Sequence, residues 1–139
     1  MQSASAITPS RSTLWTGRVI EILVVLFMLF DVVGKYTRPE PVVSAFARQG
    51  MPIALALLIG TLLLALTVLY VLPTTSVLGA VLLTGYFGGA CAVNMRAGFS
   101  PFEILFPVFF GVLMWVPLYL LEPRVRALLP LRRGAIPRE

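Results

Sequence analysis

The segment TSVLGAVLLTGYFGGACAVNMRAG, from Thr75 to Gly98, carries no charge before Arg96. Its stretch of about twenty apolar or small residues is enough to cross the hydrocarbon core of a bilayer at about 1.5 Å per residue. Three further apolar runs of similar length occur, at about 14–36, 52–72 and 101–121. The composition says where such runs go: 58% of residues are hydrophobic and 12% charged, with a mean hydropathy of +0.93. A soluble domain carries about twice that share of charge. The 139 residues therefore read as one all-α integral membrane domain. The expected architecture is a four-transmembrane-helix bundle with a short amphipathic segment between helices 1 and 2.

Along the chain, residues 1–13, MQSASAITPSRST, are small and polar and read as a disordered lead-in. A cleaved signal peptide does not fit, because the apolar stretch that follows runs on to Val33 without a small-x-small cleavage site. The first span, Leu14 to Tyr36, contains Glu21 and Asp31 and is the least hydrophobic. Residues 37–51, TRPEPVVSAFARQGM, begin with turn signals and continue as an amphipathic piece. The expectation is that Val42, Val43 and Phe46 lie on the membrane surface with Arg48 directed to water. The second span, Pro52 to Leu72, is uncharged, and Pro73-Thr74-Thr75 is short enough to make the second and third spans antiparallel neighbours.

Gly98 suits a helix C-terminus, and Ser100-Pro101-Phe102-Glu103 has the form of a capping box with proline at the first helical position. Phe99 and Ile104 are spaced for the accompanying hydrophobic staple. Pro107 and Pro117 should bend the fourth span, each freeing a carbonyl one turn back. Glu122-Pro123 closes it, and residues 124–139 form a basic tail in which Arg124, Arg126, Arg132 and Arg133 are candidates for lipid or partner contact. Four spans put both termini on one side, with Arg11, Arg18, Arg124, Arg126, Arg132, Arg133 and Arg138. The other side carries Lys35, Arg38, Arg48 and Arg96. The positive-inside rule then places both termini in the cytoplasm.

The chemistry is bounded mainly by what the sequence lacks. It contains no histidine, which removes histidine-ligated haem, histidine-based zinc sites and Ser–His or Cys–His catalysis; no metal site and no catalytic residue is expected. Cys91 is the single cysteine, so no internal disulfide is possible. The net charge of +5 sits at helix ends and in the tail, which fits topology and headgroups and gives no nucleic-acid surface. GYFGG is not a phosphate loop, because no P-loop lysine follows it.

Two sets of residues remain. Asp31 and Lys35 lie one helical turn apart with the acid N-terminal to the base, the better order for an ion pair. Either they are a proton-relay or ligand-polarising pair, or they neutralise each other near the interface. Tyr86, Asn94 and Arg96 on the third span could complete a polar cluster near the non-cytoplasmic surface, able to hold a quinone headgroup, a carboxylate or a partner's side chain. Against that, Arg96 fits a headgroup anchor, Asn94 a helix–helix hydrogen bond, Tyr86 plain packing and Glu103 its cap. Gly85 and Gly89 form a GxxxG pair, and with Gly88 and Ala92 they predict close helix packing, inside the bundle or in a homodimer. Trp115 and Tyr119 suit an interfacial belt.

The motifs LFDVVGK, PVVSAFARQGMP, VLGAVLLTGYFGGACAVNMRAG and VLMWVPLYLLEPRVRALLPLR, spread over about residues 19–133, resemble the DoxX-like family of small four-helix bacterial membrane proteins. The resemblance implies residence in the bacterial inner membrane. Its name derives from a subunit associated with a terminal quinol oxidase, which implies work near the quinone pool. Asp31, Lys35, Tyr86 and Arg96 match the family pattern. Two positions depart from it: relatives often carry an acid in the middle of the second helix, where this chain has Leu63, and often a histidine where it has Asn94. The reading that follows is a non-catalytic accessory subunit of a larger electron-transfer membrane complex, partnered by lipid and by other subunits or its own copies. It has no cofactor of its own. The alternative is a quinone-linked oxidoreductase or quinone-binding protein that uses the polar cluster.

Overall fold

The computed structural model describes residues 10–128. Among them every regular element is a helix: α1 Arg11–Thr37, α2 Glu40–Arg48, α3 Leu55–Val71, α4 Ser76–Arg96, α5 Pro101–Leu113, α6 Trp115–Leu121 and α7 Pro123–Leu128. Helix α1 begins before the expected Leu14. The Ser10 hydroxyl accepts from the Thr13 amide at 3.2 Å and caps the first turn, so residues 11–13 are helical rather than part of a disordered lead-in. The rest of that lead-in, residues 1–9, lies outside the described residues, as do Arg132 and Arg133 of the tail.

Local chemistry explains where the helices stop. Helix α4 ends in a Schellman motif, with the Phe99 amide on the Asn94 carbonyl, the Gly98 amide on the Met95 carbonyl, and Gly98 at φ +70°. Three residues later the expected capping box starts α5: Ser100 and Glu103 each accept from the other's backbone N–H. Pro107 is accommodated within α5, whereas the helix breaks at Met114, three residues before Pro117. The expected single bent span is thus two helices, because a proline ring displaces the carbonyl one turn back.

The long helices form a closed ring in which α1 packs on α3, α3 on α4, α4 on α5, and α6 returns to α1. Contacting residues fix the directions. Lys35 meets Gly60, and Gly17 meets Leu121, so α1 runs antiparallel to both α3 and α6. The α3–α4 contact is closest near their connection: a Cβ on Gly79 would collide with the backbone nitrogen of Tyr70 and lie 2.7 Å from the Leu69 carbonyl carbon. The core is built from Val24, Met28, Leu63, Tyr70, Leu83 and Met114. The buried Tyr70 hydroxyl donates to the Met114 carbonyl at 2.8 Å, tying α3 to the break between α5 and α6.

The outside of the bundle is apolar. Trp15, Phe30, Leu58, Phe102 and Val112 are exposed on three different helices. Two stretches, Ser76–Arg96 and the α5–α6 pair Pro101–Leu121, are long and apolar enough to cross a membrane, and only 22% of the most apolar window of each is buried. Core helices of a soluble protein would be buried; these present their apolar surface outward, as lipid-facing helices do. Helix α3 is apolar but shorter, at 17 residues.

Candidate functional site

Helix α2 sets the site. The sequence places it on the membrane surface with Arg48 in water; the structure folds it across the end of the bundle. Phe46 is buried, and Val42, Ala45 and Phe46 face a cavity between α2 and the long helices. The reason is a polar latch at its C-terminus. Arg48 pairs with Glu103 at 3.1 Å and stacks over the Phe99 ring at 3.9 Å. Gln49 donates to the Asn94 side chain at 2.8 Å, and Arg96 donates to the Gln49 carbonyl at 2.9 Å. These contacts join residues about fifty positions apart, beyond the reach of helical spacing.

Under α2 lies a cavity of about 590 Å³, within the range of small-molecule sites. Four of the five cluster residues proposed from the sequence line it: Asp31 and Lys35 from α1, and Tyr86 and Asn94 from α4. Lys35 donates to the Asp31 carboxylate as the helical spacing predicts, with its side chain only 13% exposed. Low exposure strengthens the pairing, since a cation shielded from water needs its counter-ion close. Among the described residues the Tyr86 hydroxyl makes no hydrogen bond, whereas the Tyr36 hydroxyl shares one with the Thr61 hydroxyl and the Tyr70 hydroxyl donates to the Met114 carbonyl. Arg96 does not line the cavity. It lies outside, exposed, on the latch.

Asn94 is the hinge between site and latch. Its amide nitrogen donates to the Glu103 carbonyl at 2.8 Å, the carbonyl one turn before Pro107, while its oxygen accepts from Gln49. The carbonyl that proline frees is thus satisfied by a neighbouring helix. Leu63 is fully buried in the core and does not line the cavity.

Several contributors were not singled out from the sequence. Phe27 of α1 stacks on Phe110 at 3.7 Å and meets Phe106 edge-on at 5.5 Å, giving the cavity an aromatic wall. Gln49 joins the lining. An apolar i, i+4 pair, Val42 and Phe46, was the available signal that α2 has an inner face. Of the two alternatives expected for the glycines, packing inside the bundle or in a homodimer, the structure bears only on the first. A Cβ on Gly85, Gly88 or Gly89 would meet nothing within 4 Å, and Ala92 is exposed, so these residues do not pack against another helix among the described residues. The glycines that permit close approach are Gly79, Gly60 and Gly17. Trp115 donates from its ring nitrogen to the Thr84 hydroxyl at 3.0 Å, binding α6 to α4. In the tail, Val125 is buried between the outward Arg124 and the half-buried Arg126.

A family model described as the DoxX-like family matches residues 19–117. That segment contains the whole latch and every residue of the cavity. No curated protein and no solved structure matches the chain.

Proposed function

The chain belongs to the DoxX-like family, and we propose that it is a four-span protein of the bacterial inner membrane that holds a quinone-type molecule in the cavity beneath α2. The observation that carries this reading is the convergence of Asp31, Lys35, Tyr86 and Asn94 on a space walled by Phe27, Phe106 and Phe110. A planar ring bearing oxygen atoms fits such a site. Its faces take the aromatic wall, and its oxygens take the Lys35 ammonium and Tyr86 hydroxyl as donors, or the Asp31 carboxylate as acceptor for a quinol. The ion pair leaves the cavity without net charge, which favours an uncharged head over an anion. The chain contributes orientation and a proton acceptor; electrons come from the bound molecule and from neighbouring components of an electron-transfer assembly.

The direct test is the amount of quinone that co-purifies with the protein from membranes. The double variant Asp31→Ala/Lys35→Ala removes both charges together and so leaves no orphaned ion. Occupancy should fall by about tenfold or more, the equivalent of one charge-assisted hydrogen bond, while the bundle remains folded. Equal quinone content in wild type and variant would end this reading.

The accessory-subunit reading draws on a separate observation. Gly85, Gly88, Gly89 and Ala92 form a face of α4 with no partner helix among the described residues, as a surface that docks on another subunit would. A pull-down in mild detergent, returning electron-transfer subunits at constant ratio, would support it. A subunit of such a complex can also carry a quinone, so the cavity does not exclude the accessory role; a partner helix seated on this face would cover Gly85 and Gly89.

A further inference from the structure

Helices α3 and α4 do not stay together along their length. They are closest where Gly79 faces Tyr70, and they part toward the end covered by α2. In the parted region Leu62 from α3 and Gly85 and Gly89 from α4 all line the cavity and are also exposed on the outer surface of the bundle. Residues on both surfaces at once mark a mouth. The two glycines form one edge of it, and no atom lies within 4 Å of where their side chains would begin. The neighbouring turns of α3 and α4 also expose apolar residues, Leu58 one turn from Leu62 and Leu82 one turn from Gly85, so the mouth opens onto an apolar surface.

We infer that Gly85 and Gly89 are the sill of a lateral portal through which an amphiphile with an uncharged polar head passes from the bilayer into the cavity, its apolar chain remaining in the α3–α4 cleft. This rests on the ligand reading above and adds the route and the chain requirement. Three physical points support it. The polar groups lie inside, on α1 and on the inner side of α4, so a head entering sideways meets them last. The α2 latch closes the end of the bundle, so the route from water is covered by protein. Glycine at i and i+4 on one face gives the widest gap a helix wall can offer without breaking its hydrogen bonds. A ligand soluble in water would need neither the sill nor the cleft.

The sill separates the two glycine roles. Gly88 sits beside Gly89 in sequence and is equally exposed, but it does not line the cavity. The experiment uses the full chain in nanodiscs and two probes: a benzoquinone with a decyl chain, and the same ring without a chain. Leucine at the sill, Gly85→Leu or Gly89→Leu, should lower affinity for the chain-bearing probe by about tenfold or more, because the added side chain takes the space that the probe's chain would occupy. Affinity for the chainless ring should change much less, and Gly88→Leu should bind both probes as wild type does.

Unchanged decyl-probe binding in both sill variants would overturn the portal while leaving the site intact. Equal loss in Gly88→Leu, accompanied by a change in oligomeric state, would also overturn it and assign the glycines to helix association. Failure of the wild-type protein to bind either probe would overturn the ligand reading and the portal with it. Circular dichroism and melting of each variant identify those that fail to fold. For any such position, alanine, which adds a single carbon to the sill, takes leucine's place and should weaken decyl-probe binding in the same direction by a smaller factor.

Discussion

Gly79 and Gly88 stand on the same helix, carry the same side chain and differ in what surrounds them. At Gly79 an added methyl group runs into the backbone of Tyr70 and Leu69; at Gly88 it meets nothing within 4 Å. Gly79→Ala should therefore force α3 and α4 apart and destabilise the protein by about 3 kcal/mol, at the upper end of overpacking costs. Gly88→Ala should be neutral or stabilising by up to about 1 kcal/mol through helix propensity. Unfolding of both variants in detergent decides this: equal stability would mean that the close contact at Gly79 is absent in the folded protein. The sequence points to glycine packing in general, and GxxxG spacing draws attention to Gly85 and Gly89. Spacing records only that two small residues share a face. It does not record what the face meets, so the closest contact falls at Gly79, outside that pair.

Among the elements, α2 carries the largest difference between expectation and structure. Its amphipathic pattern is plain in the sequence, and an interfacial helix satisfies that pattern as well as a helix packed on protein does. The tie is broken by partners distant in sequence: Glu103 for Arg48, Asn94 for Gln49, and Phe99 beneath the guanidinium. Charges at 56% and 36% exposure are too well solvated to contribute much stability. Arg48→Ala should thus leave the melting temperature nearly unchanged while loosening α2. Hydrogen exchange should speed up in residues 40–50 and remain at the wild-type rate in α3 and α4. Unaltered exchange in α2 would show that the apolar contacts of Phe46 hold the roof without the latch. The capping box at Ser100 and the bend near Pro117 were legible in advance, because each is settled within one helical turn.

For the molecule as a whole, the ring of antiparallel helices places the α3–α4 connection on the same end as Ser10, and α2 on the opposite end. If all four long segments cross the membrane, single cysteines introduced at Thr74 and Ala47, in a Cys91→Ala background, should react with an impermeant thiol reagent from opposite faces. Thr74→Cys should label from the cytoplasmic face together with Ser10→Cys, as the arginine bias requires. Labelling of Thr74→Cys and Ala47→Cys from the same face would mean that α3 does not cross.

By itself the sequence determined the all-helical class, the apolar exterior, most helix ends and the Asp31–Lys35 pair, because hydropathy, capping and i, i+4 spacing act over a few residues of one chain segment. The tertiary structure alone decided that four of the proposed polar residues share one cavity, that Arg96 stands outside it, and that α2 roofs it. It also decided which glycines touch backbone and which open onto space. Those outcomes depend on how helices far apart in sequence cross and splay, and a helix's own residues specify the face it offers without naming the neighbour that meets it.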